Sequence, residues 1–77
     1  MKIKTFAILK DYFSPEFEIV ENFKLVSDFK AFLIQQNPAA KEILNISRFA
    51  VNDTFVKDDF EIKENDTISI IPPSSGG

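Results

Sequence analysis

Alternating polar and apolar positions near the start of the chain predict two strands. Residues 2–9 alternate loosely with the two-residue period of a β-strand, in which successive side chains point to opposite faces of a sheet. Ser14-Pro15 is a turn signal, and glutamates then alternate with Phe17 and Ile19. We therefore predict a half-buried second strand that pairs back on the first as a hairpin.

The period changes to that of a helix in the middle of the chain. Apolar side chains recur three or four positions apart at Val26, Phe29, Phe32 and Leu33. This spacing predicts an amphipathic helix over Val26–Gln36. Asn37-Pro38 ends that helix, and we expect Asn37 to cap a short second helix that begins at Pro38 and continues through residues 39–44.

The strand period returns in the second half of the chain. Phe49 and Val51 share one face of a third predicted strand, and Thr54–Val56 forms a fourth. Asn52-Asp53 separates them, and both residue types tolerate the left-handed backbone of a tight hairpin turn. The order of elements so far is strand, strand, helix, strand and short strand.

An acidic connection leads to the last predicted strand, Thr67–Ile71, which Pro72-Pro73 ends. Within the connection, Glu64-Asn65-Asp66 is a second candidate for a tight turn. This order of elements predicts an α+β fold in which a mixed sheet wraps over one main helix. The first and last strands are apolar enough to lie centrally, and a crossover through the helix allows them to run parallel.

One sheet face is left without a covering helix in this architecture. The strand phase places Phe6 and Ile71 on that open face, where a large apolar pair calls for an explanation. We predict that both residues, together with Pro72, form a docking surface for a partner protein. The alternative is that Phe6 and Ile71 are ordinary exposed hydrophobic residues.

Composition narrows the range of possible chemistry. The 77 residues suffice for one small domain, which we place at residues 1–71, followed by a tail at residues 72–77. Cysteine and histidine are absent, so disulfides, the usual zinc sites and imidazole bases are excluded, and we expect no metal.

The net charge of −3 argues against nucleic-acid binding. Without a signal sequence or membrane span, we expect a cytoplasmic protein.

The tail carries the only two glycines of the sequence, Gly76 and Gly77. They follow Pro72-Pro73-Ser74-Ser75. The two prolines favour a stiff, extended backbone at the base of the tail, and the two glycines leave its tip without side chains. Such a tail fits a narrow channel in another protein, and its reactive group is the Gly77 carboxylate, which requires activation before acyl transfer. The alternative is a frayed terminus, because many chains end in small polar residues.

Three segments resemble the small, sulfur-carrying subunit of molybdopterin synthase, within the MoaD and ThiS group of ubiquitin-like proteins. Residues 6–11 resemble its Phe-Ala-x-Leu-Arg-Glu motif, and residues 50–52 its Ala-Val-Asn. Residues 65–77 resemble its terminal Gly-Asp-Glu-Val-x-x-x-Pro-Pro-x-x-Gly-Gly. Asn65 stands where the family usually has glycine, and we expect asparagine to keep the left-handed backbone of that turn. Leu25 stands where a threonine commonly caps the helix.

The resemblance implies a β-grasp, ubiquitin-like fold and a role for the tail. The Gly77 carboxylate would be adenylated with ATP by an E1-like adenylyltransferase and converted to a thiocarboxylate by a sulfur donor protein. Pro72, Pro73, Ser74, Ser75 and Gly76 would then enter the large synthase subunit, which supplies the catalytic side chains. Sulfur would pass to cyclic pyranopterin monophosphate. A heterotetramer of two small and two large subunits is implied, with ATP and AMP used transiently and no permanent cofactor.

Three other functions are compatible with the sequence. A sulfur carrier for thiazole synthesis has the same terminus and activation chemistry, although such carriers commonly lack the Pro-Pro. A protein modifier would use the same activated Gly77 to form amide bonds with lysines. A stand-alone binding module that uses a sheet edge would not need Gly76 and Gly77 at all.

Overall fold

The computed structural model describes residues 1–73, and its first two strands form the expected hairpin. β1 (Lys2–Thr5) pairs antiparallel with β2 (Glu16–Glu18), and Ile3 lies opposite Phe17. Hydrogen bonds join Met1 and Ile19 in both directions at 3.0 Å, so backbone pairing continues one residue past β2. The pairing therefore reaches Ile19, the last apolar residue of the predicted alternation, although the regular strand ends at Glu18.

The prediction that the first strand reaches Leu9 is wrong. The strand ends at Thr5, and Ala7–Asp11 forms a 3-10 helix that begins with Ala7 at a φ of 52°. This turn brings the Leu9 side chain into the core, where it is fully buried. Consecutive apolar residues from Phe6 to Leu9 satisfy either structure, and burial of Leu9 favours the helical turn.

The two predicted helices are confirmed, the first with the predicted boundaries and the second with different ones. α1 (Val26–Gln36) begins after Leu25, whose N–H donates to the Asp28 carboxylate at 3.2 Å; Asp28 thus forms one half of a capping box, while Leu25 has no side-chain oxygen to form the other half. A 3-10 turn at Pro38–Ala40 then leads into α2 (Lys41–Ile46), so the second helical segment ends two residues later than expected. Asn37 precedes that turn, yet its side chain donates to the Tyr12 carbonyl at 3.1 Å and does not cap it.

The second hairpin and the last strand are confirmed. β3 (Arg48–Val51) and β4 (Thr54–Val56) flank Asn52 and Asp53, whose φ angles of 50° and 71° are left-handed as predicted. β5 (Thr67–Ile71) follows a turn at residues 64–65. Asn65 does not have a positive φ, so the left-handed position expected there is wrong. The turn instead closes through a bond from the Asp66 N–H to the Lys63 carbonyl.

The strands form one five-stranded mixed sheet in the order β2-β1-β5-β3-β4. β1 and β5 are parallel neighbours inside the sheet, as predicted. One face packs on the helices through fully or almost fully buried side chains, which include Ile3, Val26, Phe29, Leu33, Phe49, Ile68 and Ile70. The Phe29 ring meets the Phe49 ring edge to face at 6.2 Å between centroids.

Candidate functional site

The open face of the sheet carries an apolar patch across its central strands. Arg48 lies opposite Ile71, and Ala50 lies opposite both Ser69 and Phe55. These residues alternate with the buried positions of β3 and β5, so their side chains lie on the face away from the helices. None of the helices described in residues 1–73 covers this part of the sheet.

Phe6 lies at the edge of the same patch. Thr5 is the last β1 residue paired with β5, opposite Ile70, and the Phe6 backbone stays extended at φ −131° and ψ 157°. Continuing the parallel register by one residue places Phe6 beside Ile71, although Phe6 follows the strand and is not part of it. Its side chain is 41% exposed. The shared location follows from the register, and the docking role stays a prediction.

Arg48 and Phe55 belong to the patch and were missed by sequence reasoning. The Arg48 guanidinium carbon lies 3.7 Å from the centroid of the Phe55 ring, a cation–π contact at an exposed site. Ala50 and Ser69 are buried on this open face because larger neighbours surround them. A two-residue turn at Asn52-Asp53 pairs Ala50 with Phe55, so the hairpin register was the signal that could have revealed Phe55. We call Phe6, Arg48, Phe55 and Ile71 the open-face patch.

The base of the tail adjoins this patch. β5 ends at Ile71, Pro72 is buried, and Pro73 is exposed. Proline fixes its own φ, so two consecutive prolines hold the direction in which the chain leaves the sheet. The predicted tail residues Ser74, Ser75, Gly76 and Gly77 lie outside the described residues. Their roles, and the boundary between domain and tail, remain predictions.

A hydrogen-bond network fixes the other end of β5. The Asn52 amide donates to the Asp66 carboxylate at 2.9 Å and accepts the Thr67 N–H at 3.0 Å. The second Asp66 oxygen accepts the Lys63 N–H at 2.8 Å. Asp66 is nearly buried, so these bonds compensate its desolvation and hold the register of β5 against the β3–β4 hairpin.

The described part of the chain offers a surface for binding. Residues 1–73 contain no group of three acidic, cysteine or histidine side chains placed to hold a metal ion. No helix among them has the length and apolar character needed to cross a bilayer. The open-face patch combines apolar area with one guanidinium, a composition that is typical of protein interfaces.

The sequence matches the profile of the ThiS family over residues 3–77. The chain belongs to the ThiS family. Its resemblance to ubiquitin-like sulfur carriers is thereby confirmed at the level of the family. The match runs from β1 through the Gly-Gly tail, so it includes the elements of the open-face patch as well as the segment that follows it.

Three solved structures are similar to this ThiS family member. A chain from the complex of subunits 1 and 2 of molybdopterin-converting factor from Helicobacter pylori is 26% identical, with 99% and 96% of the two chains covered and a TM-score of 0.72. A putative subunit 1 of molybdopterin converting factor from Pyrococcus furiosus is 25% identical, with 95% of each chain covered and a TM-score of 0.75.

The third structure bears on the fold alone. SAMP1 from Haloferax volcanii is 21% identical, with 99% of this chain and 97% of that chain covered and a TM-score of 0.79. Together with the sheet order described above, these likenesses confirm the predicted ubiquitin-like β-grasp fold.

Proposed function

We propose that this ThiS family member is the sulfur-carrying small subunit of a molybdopterin synthase. One observation carries the proposal: the Helicobacter pylori chain, whose complex comprises subunits 1 and 2 of molybdopterin-converting factor, is similar over 99% of this chain. The likeness to the Pyrococcus furiosus subunit 1 supports the same assignment. The proposed large-subunit partner is the counterpart of subunit 2.

The Gly77 carboxylate is the proposed reacting group. One carboxylate oxygen attacks the α-phosphorus of ATP on an E1-like adenylyltransferase, and pyrophosphate leaves. A hydrosulfide equivalent from a donor protein then attacks the acyl carbon, and AMP departs with that oxygen. The resulting thiocarboxylate supplies sulfur to cyclic pyranopterin monophosphate in the large subunit. ATP is a transient reactant, and these reactions take place in the cytoplasm.

The geometry of the sheet supports docking next to the reacting tail. The open-face patch ends at Ile71, and Pro72 and Pro73 continue from it. A partner that covers the patch would also receive residues 74–77 as they leave the sheet. The large subunit supplies the catalytic side chains in this proposal, and two small and two large subunits form the assembly.

Intact-protein mass spectrometry tests the chemistry. The purified chain is incubated with the adenylyltransferase, ATP and sodium sulfide, and we expect the mass increase of one oxygen-to-sulfur exchange at the C-terminus. Deletion of Gly76-Gly77 should abolish the exchange, whereas Ser75→Ala, which keeps the carboxylate, should allow it. A wild-type mass that stays unchanged with an active adenylyltransferase would refute the carrier function.

A carrier for thiazole synthesis is the second candidate, because the matching profile is that of the ThiS family itself. Offering the thiocarboxylated protein to each acceptor system separates the two. Molybdopterin formation with the large subunit supports the first proposal, and thiazole formation without molybdopterin supports the second. Higher-mass conjugates on lysines would instead indicate a protein modifier.

A further inference from the structure

The outer edge of β2 presents backbone groups that have no partner among residues 1–73. Phe17 faces Ile3 in the hairpin, the Thr5 N–H donates to the Pro15 carbonyl, and Ile19 bonds to Met1. In an antiparallel pair, the backbone N–H and C=O groups of every second residue point toward the partner strand. Residues 15, 17 and 19 point toward β1, so the N–H and C=O groups of Glu16 and Glu18 point away from it. β2 is the last strand on its side of the described sheet, so this edge can accept a further strand.

An apolar groove runs beside that edge, between β2 and α1. Its volume is about 440 Å³, and its apolar walls include Phe13, Phe17, Phe32 and Leu33. The Phe13 and Phe17 rings stack with 6.3 Å between centroids. Val20, at the end of the groove, is 91% exposed. A strand added at β2 would direct every second side chain toward this groove.

The charges around the groove specify the chemistry of its occupant. Glu18 and Glu21 line it, and no lysine or arginine is among the described lining residues. The chain itself shows what β2 accepts on its inner edge: Lys2 lies opposite Glu18, Ile3 opposite Phe17, and Lys4 opposite Glu16. The Lys2 ammonium also lies 3.7 Å from the Glu16 carboxylate. Alternating basic and apolar residues therefore complement this strand.

A second copy of the chain does not fit the same edge. Antiparallel pairing of two β2 strands would set glutamates of one copy against glutamates of the other, and like charges directly opposite each other are unfavourable. The occupant with complementary charge is an extended segment that alternates lysine or arginine with aliphatic residues.

We propose that the outer edge of β2 and its groove bind such a basic, extended segment of a partner protein as a sixth strand. Its aliphatic side chains lie in the groove beside Phe17, and its basic side chains lie beside Glu16 and Glu18. β1 separates this edge from β5. The segment can therefore bind while the tail is engaged elsewhere, and the interaction goes beyond the proposed sulfur transfer.

Amide NMR titration tests the proposal with a defined probe. The probe is the peptide acetyl-Lys-Ile-Lys-Ile-Lys-amide, and its control is acetyl-Glu-Ile-Glu-Ile-Glu-amide. We expect saturable shifts of the backbone amides from Glu16 to Val20 and of groove residues Phe13 and Phe32 with the basic peptide. Absence of these shifts, equal binding of the acidic peptide, or concentration-dependent shifts at β2 without peptide would overturn the proposal.

Variants of Glu18 separate charge from backbone pairing. Glu18→Lys converts an attractive cross-strand pair into a repulsive one and should weaken the basic peptide about tenfold. Glu42→Lys makes the same charge change at an exposed position on α2 and should leave binding unchanged.

Glu18→Pro removes the outward N–H that the peptide requires, and the edge position tolerates proline. Glu18→Gln keeps that N–H, so only the proline variant should lose the β2 shifts entirely. Equal binding by the proline and glutamine variants would overturn strand addition. Thiocarboxylation of all four variants should stay at the wild-type level, which makes failure here distinct from failure of the proposed function.

Discussion

Replacing Phe6 by aspartate should weaken binding of the large synthase subunit by about 30-fold. A phenylalanine side chain buries about 200 Å², and the 41% of Phe6 that is exposed corresponds to about 80 Å² available to a partner. At about 25 cal/mol per Å², loss of that contact costs about 2 kcal/mol, which is about 30-fold in Kd. The introduced carboxylate adds a desolvation penalty, so this figure is a lower bound.

Isothermal titration calorimetry with the purified large subunit measures the effect, and the chain offers a matched control. Phe60 is 39% exposed, and its carbonyl accepts the Val26 N–H at the start of α1, on the covered side of the sheet. Phe60→Asp should therefore leave the affinity unchanged. A Kd for Phe6→Asp within threefold of wild type, or an equal loss for Phe60→Asp, would refute the assignment of the docking face.

Three further variants test the scaffold by urea unfolding. Ala7→Gly should raise the free energy of unfolding by about 1 kcal/mol, because glycine adopts the φ of 52° without Cβ strain; an unchanged midpoint would contradict a strained turn. Asp66→Ala should lower it by about 2 kcal/mol by leaving the Asn52 amide and Lys63 N–H unpaired, and Asp66→Asn, which keeps one acceptor oxygen, should lose part of that; an unchanged midpoint in Asp66→Ala would contradict a stabilising network. Phe29→Ala should cost about 4 kcal/mol, and a loss below 1 kcal/mol would exclude a tightly packed ring at this position.

The sequence predicted those elements in which one period persists. The spacing from Val26 to Leu33 fits a helix, and the alternation in Thr67–Ile71 fits a strand whose Ile68 and Ile70 share one buried face. The parallel pairing of the first and last strands could be predicted because both are apolar and a helix lies between them. The Asn52-Asp53 turn was predictable because its residue types tolerate the backbone that the turn requires.

Errors arose where tertiary burial decides between two locally acceptable structures. Residues 6–9 alternate poorly, and the core draws in Leu9 through a turn that local preference disfavours at Ala7. The open-face patch was only half predicted, since Arg48 and Phe55 become neighbours through cross-strand pairing. Asn65 shows the same limit: the Asp66 N–H donates to the Lys63 carbonyl, the Asp66 carboxylate accepts the Lys63 N–H, and the turn closes without a left-handed residue.

The position of β5 between β1 and β3 has a consequence for biosynthesis. Ile68 and Ile70 fill the middle of the core, yet the ribosome adds them after the other four strands that the structure describes. In the nascent polypeptide, the β1–β2 and β3–β4 hairpins therefore cannot join into one sheet until β5 has left the exit tunnel. Prematurely terminated products lack both the central strand and Ile71. Such fragments would be unfolded substrates for proteases and would not compete with intact molecules for a binding partner.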